Sequence, residues 1–307
     1  MIKLGMVGAG IVGERIIKQI EEEQSVVLLG VYDEQKERLS YLNETYGVPI
    51  AESLDELFHS GIDWLYIGTP PASHAEIAIQ AARAGLHIFS EKPLAHDAED
   101  GLQMTIAADE NQVQTAMHFP LMYKDSVREM VILIKNGSIG NVVRVEFEGL
   151  FPEWPRPWQK NPWIASREQG GFIREVFPHY LQLIYRMFGD LTLINHQVTY
   201  PQQQDLCETG VIAYGRTNAG IPLHLSGLSG IGQKESLQLK VYGDQGVLTL
   251  ENWNDLYLSE RNEERVQVTE FAAVPSIFEE MNELSTLLVP FEEGLIVQRL
   301  VDQLLAE

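Results

Sequence analysis

Over its first 117 residues the chain alternates short apolar runs with amphipathic segments, and this alternation constrains the fold more than any other feature. The apolar runs at 2–7, 26–32, 63–68, 86–90 and 113–117 read as strands. Strands separated by helices imply a parallel sheet covered on both faces. The intervening segments carry helix punctuation. Ser53-Leu54-Asp55-Glu56 and Ser73-His74-Ala75-Glu76 both fit the capping box, in which a hydroxyl and a carboxylate satisfy free N–H groups reciprocally. Gly47 and Gly85 stand where a left-handed residue ends the preceding helix.

The texture then changes. Residues 123–136 read as a helix ended by Gly137, and 141–150 as a long strand. Residues 152–171 form a Pro/Trp-rich connection with Trp154, Trp158 and Trp163, and a further helix over 178–188 ends at Gly189. From 191 to 270 strand-like runs succeed one another without helices, the pattern of an antiparallel sheet. Two helical segments close the chain, 275–288 and 292–306. The expectation is an α/β fold with a doubly wound parallel sheet over 1–120. An α+β domain with a large, mostly antiparallel sheet follows over 121–307, its C-terminal helical segment (275–307) packing back.

Composition excludes several partners. The 307 residues carry a formal net charge of −22, which opposes binding to nucleic-acid backbones and to anionic membrane surfaces. No apolar run approaches the roughly 20 residues of a membrane-spanning helix. The first seven residues lack the zones of a signal peptide, and the single cysteine, Cys207, suits a reducing compartment. A cytoplasmic location is expected. No set of histidines and acids has metal-ligand spacing, so no metal is expected.

The sequence Gly8-Ala9-Gly10-Ile11-Val12-Gly13 lies between the first strand and a helix beginning near Glu14. In this context the G-x-G-x-x-G pattern is the dinucleotide fingerprint of a Rossmann fold. Gly8 permits the tight turn, Gly10 lets backbone approach a pyrophosphate, and Gly13 lets the helix pack against the strand. The helix N-terminus, with Ile11 and Val12 just inside the loop, supplies N–H groups to the phosphates. Asp33, at the end of the second strand, is placed to accept the adenosine ribose hydroxyls and to repel a 2′-phosphate. No basic residue follows it until Lys36. NAD is therefore the expected cofactor, in preference to NADP.

Two further motifs are Tyr66-Ile67-Gly68-Thr69-Pro70-Pro71-Ala72-Ser73-His74 and Ser90-Glu91-Lys92-Pro93. With these the chain resembles the Gfo/Idh/MocA family, the glucose–fructose oxidoreductase and inositol dehydrogenase type. The likeness continues through 136–140 and Gly170-Gly171 to Phe291-Glu292-Glu293-Gly294. The resemblance implies an NAD(P)-dependent dehydrogenase or reductase acting on a sugar, inositol or related polyol. It places Thr69, Pro70, His74 and Glu91 around the cofactor and Lys92 in the active site. A lysine there stabilises a developing alkoxide and can join a proton relay.

The family's second catalytic segment corresponds to Gly170-Gly171-Phe172-Ile173-Arg174-Glu175-Val176-Phe177-Pro178-His179-Tyr180-Leu181-Gln182. His179 matches the catalytic histidine, while Glu175 stands for the family's aspartate, Phe177 for its glycine and Gln182 for its second aspartate. On this reading Phe177 adds bulk to substrate space, and the substrate differs from inositol and glucose. His118 and Trp163 are further candidate substrate contacts, with packing the alternative for the tryptophans. The family also includes non-catalytic dinucleotide-binding regulators, and imine or other carbonyl reduction suits the same scaffold. The resemblance further implies a homodimer or homotetramer assembled through the sheet of the second domain.

Overall fold

The computed structural model describes residues 1–306. They divide into two compact units: residues 1–119 with 275–298, and residues 120–274 with the chain from Arg299 onward.

In the first unit β1 (Ile2–Val7), β2 (Val26–Tyr32), β3 (Trp64–Ile67), β4 (His87–Ser90) and β5 (Thr115–Met117) form one parallel sheet. The order is β2-β1-β3-β4-β5. After β2 the chain crosses to the other side of β1, so a topological switch point lies between β1 and β3. Open α/β sheets bind ligands at the carboxyl ends of the strands beside such a point. The connecting helices are α1 (Ile11–Glu22), α2 (Lys36–Tyr46), α3 (Leu54–Phe58), α4 (His74–Arg83) and α5 (Ala98–Glu110). Helix α1 buries Gly13, Ile16, Ile17 and Ile20, one stripe at helical spacing.

The punctuation holds in part. Gly47 ends α2 at φ 64°, and Ser53 accepts the Glu56 N–H. The Glu56 carboxylate takes the N–H of Glu52 rather than that of Ser53, so this box is half formed. The Ser73 box does not form. A 3-10 turn over Pro71–Ser73 runs straight into α4, leaving Ser73 already helical, and its hydroxyl turns back to Thr69 Oγ1 and the Pro70 carbonyl.

The second unit begins with α6 (Asp125–Lys135) and β6 (Val142–Phe151), followed by α7 (Phe172–Glu175) and α8 (Phe177–Phe188). Then come β7 (Leu191–Thr199), β8 (Gly210–Thr217), β9 (Pro222–Ser229), β10 (Ser236–Gly243), β11 (Gly246–Glu251), β12 (Asp255–Glu260) and β13 (Val266–Gln267). These strands form an eight-stranded sheet in the order β13-β12-β11-β10-β6-β9-β8-β7. Every neighbouring pair is antiparallel except β6 with β9. One face packs against α8: Phe147 of β6 stacks on Tyr180 at 3.9 Å between ring centroids. Along β8 burial alternates, and the other face shows Ile212 at 63%, Tyr214 at 50% and, from β9, Leu228 at 45% exposure.

The chain then returns to the first unit. A full capping box between Ser276 and Glu279, not singled out from sequence, starts α9 (Ile277–Glu283). The helix expected over 275–288 stops early because Leu284 adopts a left-handed φ of 48°. Val289 accepts the Met117 N–H at 2.7 Å, and the Phe291 N–H, at the start of α10 (Phe291–Leu305), bonds Thr115 Oγ1 at 3.0 Å. This segment therefore covers the free edge of β5.

Candidate dinucleotide site and catalytic segments

The glycine loop is built by close approach. Gly8 sits at φ 79°, and a Cβ on it would lie 2.6 Å from the Thr69 nitrogen. The loops after β1 and β3 thus touch at a spacing that only glycine permits. A Cβ on Gly13 would lie 2.9 Å from the Gly8 carbonyl oxygen, whereas around Gly10 nothing comes within 4 Å. Helix α1 starts at Ile11, earlier than its sequence suggested, with Gly10 as an N-cap that has no side chain to bond the first N–H groups. Ile11 and Val12 are exposed. Open space beside an uncapped helix N-terminus fits a pyrophosphate, because N–H groups and helix dipole both favour an anion there.

Asp33 is held in place from two sides. Its Oδ2 accepts the Ala9 N–H at 2.8 Å and its Oδ1 the Gln35 N–H at 2.9 Å. Each oxygen keeps acceptor capacity for a ribose hydroxyl. The basic residue that reaches this region is Arg38, not Lys36. Arg38 Nε donates to the Ala9 carbonyl at 2.6 Å and a terminal nitrogen donates to Glu14 at 2.7 Å. Burial alone would raise the Glu14 pKa, but hydrogen bonds from Arg38, Tyr46 and Lys18 bring it down to about 2. Sequence reasoning missed this cluster because Glu14 and Arg38 stand 24 residues apart with no local signal.

Thr69 and Pro70 follow β3, the first half-buried and the second exposed. His74 packs against the loop that follows β3. It is fully buried, with Nε2 2.9 Å from the Thr69 carbonyl oxygen and Nδ1 3.1 Å from that of Pro93. It therefore ties the loop after β3 to the loop after β4, and burial lowers its pKa. Glu91 likewise faces inward. Its Oε1 accepts the Tyr66 hydroxyl at 3.0 Å and pairs with His118 Nδ1 at 2.5 Å. Burial pushes the Glu91 pKa up, but His118, Lys92 and Tyr66 outweigh it and leave the carboxyl below its ordinary value. His118 thus has one ring nitrogen committed to Glu91, leaving Nε2 for other contacts. Lys92 is half-buried, and the Lys92–Pro93 peptide is cis.

In the second unit, Gly170 and Gly171 are sterically required. A Cβ on Gly170 would collide with the Ile164 carbonyl oxygen, and one on Gly171 with the Glu208 carboxylate; Gly171 also has a φ of 98°. Glu208, which sequence reasoning missed, is buried and accepts the Ile173 N–H at 2.7 Å. Burial pushes its pKa up to about 7, with that hydrogen bond acting in the opposite direction. Glu175, half-buried, is the last residue of α7. His179, in the first turn of α8, is 7% exposed and meets Trp253 edge-on at 5.1 Å.

One substrate assignment changes. Phe177 is fully buried between Phe147 and Phe172, where Gly227 of β9 leaves room for its ring. Its bulk enters the core of the sheet, not an open substrate space. The tryptophan beside the histidine is Trp253, in the turn between β11 and β12, while Trp163 is half-buried in a 3-10 turn over Pro162–Ala165. Trp253 holds a φ of 75°, a conformation costly for a bulky residue. The turn-forming run Asn252-Trp253-Asn254-Asp255 was the available sequence signal. Among the described residues no group of three or more His, Cys, Asp or Glu is arranged to hold a metal ion. None of the described helices is long and apolar enough to cross a membrane.

Comparison with known proteins agrees with this architecture. Residues 2–119 match the model of an oxidoreductase family with an NAD-binding Rossmann fold, and residues 127–249 match the Gfo/Idh/MocA C-terminal domain. An uncharacterised oxidoreductase of Streptococcus pneumoniae is 31% identical over 192 residues, 62% of this chain and 51% of that protein. Glucose-6-phosphate 3-dehydrogenase of Bacillus subtilis is 25% identical over 190 residues, 61% of this chain and 54% of that one. The chain thus spans about half the length of the curated relatives it matches. A 3-ketoreductase from Actinomadura kijaniata, solved with NADP and TDP-benzene, superposes with a TM-score of 0.82. The match covers 99% of this chain and 96% of that one at 18% identity, a likeness of fold. With the two domain models matched in order along one chain, the protein belongs to the Gfo/Idh/MocA oxidoreductase family and carries its NAD(P)-binding Rossmann domain.

Proposed function

We propose that the protein is an NAD-preferring dehydrogenase or reductase acting on a hydroxyl or keto group of a sugar, inositol or related polyol. One observation carries the cofactor reading: Asp33 is fixed to the Ala9 N–H of the glycine loop, so a carboxylate occupies the end of β2. A 2′-phosphate meets like charge there, whereas ribose hydroxyls find acceptors. The substrate class is supported by the relative named as a glucose-6-phosphate 3-dehydrogenase.

When bound, the dinucleotide gives or takes the hydride. Lys92 stabilises the alkoxide that develops at the reacting oxygen, and His179 takes or returns the hydroxyl proton. Glu175 supports the charge that His179 gains. His118, oriented through Nδ1 by Glu91, offers Nε2 to substrate. The test is a screen of sugars, cyclic polyols and their phosphates that follows nicotinamide absorbance with each dinucleotide. Turnover of at least one, with NAD the better partner, is expected. Tight dinucleotide binding with no turnover across the panel would instead favour a regulatory binder of the same fold.

We further propose self-association into a homodimer or homotetramer through the open face of the large sheet. Ile212, Tyr214 and Leu228 place an apolar patch there, opposite the face that packs on α8. Such a patch is costly to leave in water and suits an isologous contact.

A further inference from the structure

Two opposite charges reach one residue of the glycine loop. Asp33 accepts the N–H of Ala9, and Arg38 donates to its carbonyl. Rossmann domains that accept a 2′-phosphorylated dinucleotide use an arginine near the end of the second strand. Arg38 stands at that place, yet its Nε and one terminal nitrogen are held by other groups, which fixes the direction of the fork. Besides Ala9, it bonds the Gly10 carbonyl at 3.1 Å and Glu14 Oε2 at 2.7 Å. Glu14 is held in turn by the Tyr46 hydroxyl at 2.7 Å and by Lys18 Nζ at 3.2 Å. The Arg38 and Glu14 side chains are only 22% and 18% exposed, and the guanidinium also lies over the Tyr41 ring at 5.2 Å. A sheltered, charge-assisted hydrogen bond in a network of this kind resists competition far better than an exposed ion pair.

We propose that Glu14 sets the dinucleotide preference by holding Arg38 against the glycine loop, which leaves Asp33 to read the adenosine ribose unopposed. Glu14 is thus a specificity determinant that acts through another side chain. The inference rests on the reading that this loop takes a nicotinamide dinucleotide. It adds that the arginine needed for a 2′-phosphate is present and restrained rather than missing. Removing the restraint is then enough to bring NADP within reach, with Asp33 left in place.

The test measures the dissociation constants of NADH and NADPH for the full chain by fluorescence titration, with thermal melting as the check on folding. In Glu14→Gln the ratio of the NADPH constant to the NADH constant falls by about tenfold or more, since the freed guanidinium contributes one charge-assisted bond. In Glu14→Gln with Arg38→Ala the ratio returns to within about threefold of the wild-type value. This double variant separates release of the arginine from mere loss of a negative charge, which the two variants share. If Glu14→Gln does not fold, Glu14→Asp serves: it keeps the charge but withdraws the oxygens by one methylene, and the ratio still falls. An unmoved ratio in the folded single variant overturns the inference, as does an equal fall in the single and double variants. A wild-type chain that binds NADH while the ratio stays put sinks this inference alone. Binding of neither dinucleotide sinks the reading of the site and the inference with it.

Discussion

Phe177 meets Phe147 edge-on, with ring centroids 5.0 Å apart and planes at 84°, inside the layer between α8 and the large sheet. The residue that opens α8 is therefore a core residue. Phe177→Ala removes a fully buried ring and costs about 3–5 kcal/mol of stability, read as a lower midpoint in denaturant. A loss under about 1 kcal/mol would mean that the ring is not packed as described.

Lys92→Ala lowers kcat by a factor of order 10²–10⁴ on the true substrate, the range for a general acid–base group. The variant still binds dinucleotide, because the glycine loop and Asp33 are untouched. Single-turnover kinetics beside a binding titration checks both halves. A wild-type kcat in the variant would remove Lys92 from the mechanism.

Asp33→Ser narrows the gap between NAD and NADP by about tenfold or more, since it removes the like charge while keeping a hydroxyl. The loop also loses the carboxylate that accepts the Ala9 and Gln35 N–H groups, so affinity for NAD falls. Titrations with both cofactors decide the matter. Tighter binding of NADP than NAD by the wild type contradicts the assignment at once.

Glu208 makes stability depend on pH. Its carboxyl titrates near 7 when folded against an ordinary value of 4.5, so the folded chain holds the proton more tightly. The stabilisation is complete below pH 4.5 and is lost as pH rises through 7, by about 3 kcal/mol at most. Glu208→Gln keeps an acceptor for the Ile173 N–H but cannot ionise. The difference in stability between wild type and variant should therefore shift in favour of the variant from pH 4.5 to 8 and be level above that. Denaturant titrations across the range test this, and a difference independent of pH would count against it.

Ile212→Arg, a change on the open face of the sheet, is expected to convert the proposed assembly to monomers with the fold retained. Light scattering gives the mass and circular dichroism the fold. A variant with the wild-type mass would place the interface elsewhere.

What could be read from the chain alone is what neighbouring residues dictate. The strand and helix periods yield the parallel sheet. The turn at Gly8, with φ 79°, and the stop at Gly47, with φ 64°, follow from conformations that glycine adopts at no steric cost. Asp33 could be placed because it closes a strand whose register follows from the apolar pattern. Tertiary structure decided the rest, since partners distant in sequence are chosen by packing. Arg38 finds Glu14 only when the fold brings α2 against the first turn of α1, and His74 reaches the Pro93 carbonyl, 19 residues further on. The first eight residues of α8 are buried on every side, so its hydrophobic period does not say which way Phe177 points. Glu208 sits beneath Gly171, 35 residues from the N–H it accepts, in a place that exists only after the sheet has closed over the glycine turn.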